Sequence, residues 1–315
     1  GRIAGAGVTI AAVDIGGSKI ALGLVSGEGG LLAESQFATQ AKMPYAELLE
    51  RIRSGLGELR TARGLPLGGV GIGCTGRMAA DGVFQANSFL PNLEGRNLAA
   101  DLERDFGVSA VVENDADAAA LGEFRWGSGR GCRSMIFVTV STGIGGGIIL
   151  GGQLFRGLDG CHPEIGHHVI DPAGPACFCG AAGCWESLAS GTALGRHGRQ
   201  MHGENLADAR RICDLAEQGD LIALDLTRRE GYYLGIGLAN LITLYAPERI
   251  VLGGGLMNRW NLFEAGARAV IRAQCGLVPW QKVELVRASL GSQTGLLGAA
   301  AVWAQRFSAP PTDRG

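Results

Sequence analysis

Residues 163–187, PEIGHHVIDPAGPACFCGAAGCWES, place Cys177, Cys179 and Cys184 within eight positions, three of the chain's eight cysteines. His167 stands ten positions ahead of Cys177, His162 and His168 are alternatives to it, and Glu164 and Glu186 flank the group. Thiolates and an imidazole at such spacing are ligands for a tetrahedral metal. The metal can be a reactive centre with an open position for water, or a closed staple for the residues around it.

A second kind of chemistry lies in glycine-rich turns. DIGGSK offers Gly16, Gly17, the Ser18 hydroxyl and Lys19, with Asp14 at a strand end. STGIGGG offers Ser141, Thr142, Gly143, Gly145 and Gly146. Phosphate is bound by backbone N–H groups at close range, and a missing Cβ lets the chain approach. Neither stretch is a Walker loop, because GxxxxGK[ST] is absent. GIGGGI sits in a hairpin rather than ahead of a helix, so it fails the context of the dinucleotide fingerprint. Two such turns in equivalent places favour a site for a phosphoryl group. ENDADAAALGE (113–123) runs from a strand end into a helix. There Asp115 can accept a hydroxyl proton, while either Asn114 or Asp115 would also serve as an N-cap.

The elements that must carry these residues alternate between strand and helix. Val8–Asp14 and Ile20–Val25 open a three-strand meander punctuated by Gly16-Gly17 and by the glycines of 27–30. Pro44–Arg63 repeats Leu48, Leu49, Ile52, Leu56 and Leu59 at helical spacing. Strands are expected at Val70–Cys74 and Val108–Val112, with a helix after Asp115. Residues 134–155 restart the pattern of strand, glycine turn and strand, which predicts two α/β halves each opening with a glycine-rich hairpin. Helices then start near Glu186, Asn205 and Asp220, the last reaching Tyr245 before Pro247. A strand at Arg249–Leu252, the turn Gly253-Gly254-Gly255, a helix, a strand at Val283–Val286 and a helix at Gly295–Gln305 complete the chain. This order predicts mixed α/β layers. The tail SAPPTDRG is expected to be loose.

At 315 residues and 46% hydrophobic composition the chain can bury a substantial core, and its net charge of −2 gives no basic surface for nucleic acid. No apolar run is long enough to span a membrane, and no export signal is recognised, so a cytoplasmic protein with reduced thiols is expected. Cys74, Cys132, Cys213 and Cys275 read as small buried hydrophobes, and Trp126 and Trp185 as packing residues.

Taken together, DIGGSK, ENDADAAALGE, STGIGGGII, EIGHHV, CFCGAAGCWESLASG, IVLGGG and GLLGAAA resemble the ROK-family sugar kinases of the actin-like ATPase superfamily, from about Val8 to Gln305. The resemblance implies a two-lobed, ribonuclease H-like α/β fold with duplicated halves. A smaller lobe would span 1–114, with the helix at 293–307 packing back on it, and a larger one 115–292. It implies ATP with Mg2+ and a hexose as substrates, with the sugar 6-hydroxyl as acceptor and Asp115 as base. Asp14 would lie near Mg2+, within the first phosphate motif Gly16, Gly17, Ser18 and Lys19. Thr142 and Gly143 would lie near the nucleotide phosphates, and Gly253, Gly254 and Gly255 on the adenosine side. Gly76, Arg77, Asn114, Glu164, His167 and Glu186 would contact the sugar. His167, Cys177, Cys179 and Cys184 would hold a structural Zn2+ that fixes both flanking carboxylates, and a homodimer is expected.

The chain departs from the family pattern at Ser18, where Thr is commoner, and at Cys161-His162-Pro163, where small residues are usual ahead of the glutamate. TGRMAADG (75–82) resembles the loop of N-acetylmannosamine kinases, whereas LPNLEGRNL (90–98) resembles that of glucokinases. N-acetylmannosamine kinase is therefore the alternative activity, and a non-catalytic sugar sensor a more remote one. The family's repressors carry a DNA-binding domain ahead of the first phosphate motif; with that motif at Asp14, a DNA-binding repressor is not the expected activity.

Overall fold

The structure is a computed structural model that describes residues 7–40, 42–79, 81–85 and 90–307. The tail read as loose lies outside them. The chain divides into two compact units: 1–133 with 147–163 and 288–315, and 134–146 with 164–287.

The first unit is built on a mixed sheet of β1 (Thr9–Ile15), β2 (Lys19–Ser26), β3 (Leu31–Ala38), β4 (Leu67–Cys74) and β5 (Ala110–Asn114), in the order β3-β2-β1-β4-β5. β1 is apolar on both faces because both faces are covered. Ala11, Val13 and Ile15 pack with Leu48, Ile52 and Leu56 of α1 (Tyr45–Arg63) and with Leu98 and Leu102 of α2 (Leu98–Phe106). Ile10 and Ala12 turn the other way, onto Leu296, Ala299, Ala300 and Trp303 of α9 (Thr294–Phe307). β4, LGGVGIGC, carries the same alternation in another form. Val70, Ile72 and Cys74 join the α1–α2 core, while a Cβ on Gly69 or Gly71 would run into Trp303 or the Ala299 carbonyl. Glycine on that face is what lets α9 lie directly on the sheet.

The first unit differs from the sequence reading at several points. α2 was not anticipated. Its Asn97 side chain accepts from the Ala100 amide at 3.0 Å, and Gly107 ends it in the left-handed conformation. β5 consequently starts two residues later than expected, in register with β4 from Val70↔Ala110 to Cys74↔Asn114. The sequence reading divided the chain after Asn114; in the structure α3 (Asp115–Trp126) belongs to the first unit. Its buried Glu123 accepts from the amides of Ser289 (3.2 Å) and Leu290 (3.0 Å), just ahead of α9.

The second sheet runs β10-β9-β6-β7-β8, from β6 (Met135–Val140), β7 (Ile144–Leu150), β8 (Gln153–Leu154), β9 (Arg249–Gly253) and β10 (Glu284–Arg287). Read from its other edge, this is the first sheet's order again: an antiparallel run whose first strand is followed outward by two parallel strands. Duplication inferred from two glycine turns is thus present as repeated topology. The helices of the second unit are α4 (Trp185–Ala189), α5 (Gly191–His202), α6 (Ala209–Glu217), α7 (Leu221–Tyr245) and α8 (Glu264–Gln274). The helix expected from Glu186 is interrupted at Ser190, whose hydroxyl caps α5 through the Ala193 amide at 3.1 Å. The helix expected near Asn205 waits for Asp208, which caps α6 through Arg211 N at 2.9 Å. No helix among the described residues is long and apolar enough to cross a membrane.

Candidate active site and metal centre

In the first unit, three adjacent strands run parallel or end together at one edge of the sheet. β1 delivers Asp14, opposite Gly73 of β4 and Ala21 of β2. β4 ends at Cys74, with Gly76 and Arg77 just beyond it, and β5 ends at Asn114. The carboxyl ends of parallel strands are where α/β sheets bind ligands, and here they gather Asp14, Gly76, Arg77, Asn114 and Asp115. The turn after β1 is closed by Gly16 N donating to the Lys19 carbonyl at 3.0 Å. Thr39 braces it, its hydroxyl donating to the Gly16 carbonyl at 2.7 Å and its amide to the Ser18 carbonyl at 3.0 Å. Gly17, Ser18 and Lys19 are left exposed.

Of the two candidate caps, the fold uses Asn114. Asn114 is the N-cap of α3, its Oδ1 accepting from the amides of Ala116 (2.9 Å) and Asp117 (3.3 Å). Asp115 is the first helical residue and accepts only locally, from Ala116 N at 3.0 Å. Its carboxyl is held above the usual carboxylate range, first by burial, with the Ala116 amide and the His162 charge acting the other way. Asp14 is pushed up to about 6, by burial first, then by the neighbouring charge of Asp115, with Lys19 opposing. Asp115 thus raises Asp14, against which Lys19 acts, while at Asp115 itself burial is joined by the charge of Asp117. Burial also raises the Cys74 thiol well above its ordinary value, with Asp115 and Asp14 adding to it. It stays a thiol and fills space, as expected.

A second ring of charge surrounds the Asn114–Asp115 pair, and the sequence reading did not assign it. Asp117 is fully buried, and its Oδ2 receives both Arg156 Nη1 and His162 Nδ1 at 2.7 Å. Arg156 also pairs with Glu113, whose Oε1 accepts from Asn114 N at 2.9 Å. The partners lie 39 and 45 residues apart in sequence, beyond any local pattern. Only the unusual His162 hinted at them.

In the second unit, the turn after β6 is closed by Ser141 N donating to the Gly143 carbonyl at 2.9 Å, with Ser141 and Thr142 exposed. The start of α5 docks on it, Gly191 N donating to the Ser141 carbonyl at 2.8 Å. The turn after β9 lies beside it. Gly254 has φ +87°, and a Cβ there would run into the Val140 carbonyl; an ideal Cβ on Gly255 would sit 3.8 Å from Ser141 Oγ. Gly253–Gly255 and Ser141–Gly143 thus form one glycine-lined surface, available for an anion at exposed amides and hydroxyls.

The cysteine segment folds into a small bridge-closed loop, with Ala176 opposite Ala182 and Val169 opposite Cys184. One donor atom from each of His167, Cys177, Cys179 and Cys184 lies within 4.8 Å of every other. Cys177 Sγ is 3.4 Å from His167 Nδ1, and Cys179 Sγ is 3.5 Å from Cys184 Sγ. The group contains His167 and neither His162 nor His168, whose Nδ1 atoms make other contacts. The former is on Asp117, and the latter places Nδ1 2.6 Å from the Ile165 carbonyl, its imidazole pushed below the usual range by burial. Trp185, fully buried, anchors the loop to α7 by donating to the Tyr233 carbonyl at 3.1 Å. The adjacent Glu186 reaches back to the phosphate-type turn, where its Oε2 accepts from Ile144 N at 2.8 Å. The metal loop and the turn at Ser141–Gly143 are therefore tied by one carboxylate.

Two mixed sheets of one strand order, each with a hydroxyl- and glycine-bearing first hairpin, define the actin-like ATPase fold. The ROK family's own model matches residues 10–306, and the chain belongs to that family. A glucokinase of Streptomyces coelicolor is 37% identical over 313 residues, covering 93% of this chain and 96% of its own. A ROK hexokinase from Thermus thermophilus superposes with a TM-score of 0.83 at 33% identity, covering 96% of this chain and 100% of that one. A ROK glucokinase from Streptomyces griseus, solved with glucose and AMPPNP, gives 0.76 at 34% identity over 93% and 98% of the two chains.

Proposed function

We propose that the protein is an ATP-dependent hexose kinase acting on the 6-hydroxyl of glucose or a related hexose. The observation that carries this reading is the freed carboxylate of Asp115. Asn114 takes over the capping of α3, so Asp115 stands just past the strand end with one local side-chain hydrogen bond and, among the described residues, no ion pair. Its raised affinity for protons suits a group that must accept one from an alcohol as the new P–O bond forms. Asn114, Gly76, Arg77, Glu164, His167 and Glu186 are assigned to the sugar, whose hydroxyls call for paired donors and acceptors.

The amides and hydroxyls of Gly16–Lys19, with Thr142 and Gly143, are assigned to the ATP phosphates, and Gly253–Gly255 to the adenosine side. These groups orient the γ-phosphoryl and meet its charge, which is most of what phosphoryl transfer asks of a protein. Mg2+ bound with ATP would supply charge neutralisation at the phosphates. Asp14 fits it: a buried carboxylate lifted to about 6 beside a second carboxylate gains from a nearby cation.

The Cys3His group fits Zn2+. Bonds of roughly 2.0–2.3 Å in a tetrahedron put ligand atoms about 3.4–3.8 Å apart, close to the separations found. Four protein donors leave no place for water, so the metal is structural. With His167 Nδ1 turned to the metal, its Nε2 is left for the sugar, and Glu186 is fixed two residues after Cys184. The test is ADP release with glucose, mannose, N-acetylglucosamine, N-acetylmannosamine and fructose. The reading expects kcat/KM for at least one hexose well above turnover without sugar. Equal, sugar-independent ADP release across the set would refute it.

A further inference from the structure

His162 lies in the Cys161-His162-Pro163 stretch, where the chain departs from its family pattern, and it is largely buried. Its side chain is 16% exposed, and its Nδ1 contacts the carboxylate of Asp117, which is 0% exposed. That carboxylate lies two residues after Asp115, in the first turn of α3. Its Oδ2 is shared by Arg156 and His162, while Oδ1 is buried without a hydrogen-bond partner. Arg156 continues to Glu113, two residues before Asp115, and Glu113 Oε1 takes the Asn114 amide. The chain of contacts His162–Asp117–Arg156–Glu113–Asn114 therefore clamps the backbone on both sides of Asp115.

Two arms converge on this clamp. Arg156 and His162 bracket a turn closed by Gly157 N on the Cys161 carbonyl at 2.9 Å and Cys161 N on the Leu158 carbonyl at 3.0 Å. Asp159 in that turn has φ +55°, uncommon for a side chain other than glycine. The turn thus presents both side chains to a single oxygen. With the imidazole removed, Asp117 keeps one donor for a carboxylate that has no access to water, and a buried charge left under-satisfied is the condition that moves structure.

We infer that His162 is a positioning residue for the phosphoryl-transfer step, acting through Asp117 to hold Asp115 where it receives the acceptor's proton. The inference rests on the kinase reading above. A displacement of the base by about 1 Å can cost on the order of 100-fold in the reaction while leaving substrate binding intact. The expected split is therefore in kcat, not in the KM for ATP.

The experiment compares wild type, His162→Ala, His162→Gln, Asp117→Asn and the His162→Ala/Asp117→Asn double variant in the full chain. The best hexose and ATP are each varied. Wild-type turnover is the control for the underlying reading: without sugar-dependent ADP release in wild type, it is the kinase assignment that fails. Given wild-type turnover, His162→Ala should lower kcat about 10- to 100-fold with KM for ATP within about threefold. His162→Gln, whose amide can still donate to Asp117, should recover most of that loss. The double variant should be no slower than the worse single one, because both act through one contact. Three results would overturn the inference: unchanged kcat in His162→Ala, equal loss in the Gln variant, or multiplied losses in the double variant. If His162→Ala does not fold, the Gln variant and Asp117→Asn carry the test. Near-normal kcat in Asp117→Asn would then overturn it.

Discussion

Replacing Asp14 by Asn should make the protein more stable and stop it working. The carboxyl of Asp14 titrates near 6 in the fold against an ordinary 3.8, because burial and the Asp115 charge outweigh Lys19. A folded-state value above the unfolded one means that the group's contribution is fully present below about pH 3.8 and is lost as pH rises through about 6. Each pKa unit is worth 1.36 kcal/mol, so by about pH 8 the ionised Asp14 costs the fold about 3 kcal/mol. At about pH 4 the cost is only about 0.5 kcal/mol. Asn cannot ionise. Urea unfolding of both proteins without nucleotide should therefore show a stability gap in favour of Asp14→Asn that widens by roughly 2.5 kcal/mol between about pH 4 and about pH 8. Sugar-dependent ADP release by the variant should be lost, since the carboxylate assigned to the Mg2+–ATP side is gone. A gap that stays flat with pH, or a variant less stable than wild type at about pH 8, would refute the electrostatic account of this strand end.

Gly254→Ala places a methyl against the Val140 carbonyl at φ +87°. It should destabilise the second unit by at least about 2 kcal/mol and raise KM for ATP more than KM for sugar, read by denaturation and two-substrate kinetics. Removing the metal with a strong chelator, or substituting Cys177→Ala, should release about one zinc per chain by metal analysis and raise sugar KM with it. Metal loss with unchanged sugar kinetics would separate the loop from sugar binding. Trp185→Ala, which empties a fully buried site and removes the indole donor to the Tyr233 carbonyl, should cost about 3–5 kcal/mol in unfolding experiments.

What was legible in the sequence was what is local. The apolar run of β1, the two hydroxyl-glycine turns and the Cys-x-Cys spacing each sit within a dozen residues, and each is found where its pattern placed it. α2 is equally local, bounded by Asn97 and Gly107, but at nine residues its amphipathic run is too short to stand out as a helical period. The interruption at Ser190 turned on a capping hydroxyl inside what looked like one helical stretch. The contacts that shape the site are of another kind. Glu186 meets Ile144 N across 42 residues, and Asp117 meets His162 across 45. Nothing in the spacing of those residues announces them, because they follow from how a loop returns to a helix. The role of Asn114 was also undecided in sequence, since Asn and Asp are equal candidates for a cap, and only the fold shows which one is left over.

The most direct test of the central claim is the rate of phosphoryl transfer to hexose by Asp115→Asn beside wild type, with sugar affinity measured separately by titration calorimetry. The account predicts a fall in kcat of about 100- to 10,000-fold with sugar Kd within a few-fold of wild type. A variant that phosphorylates hexose at a near-normal rate would contradict it.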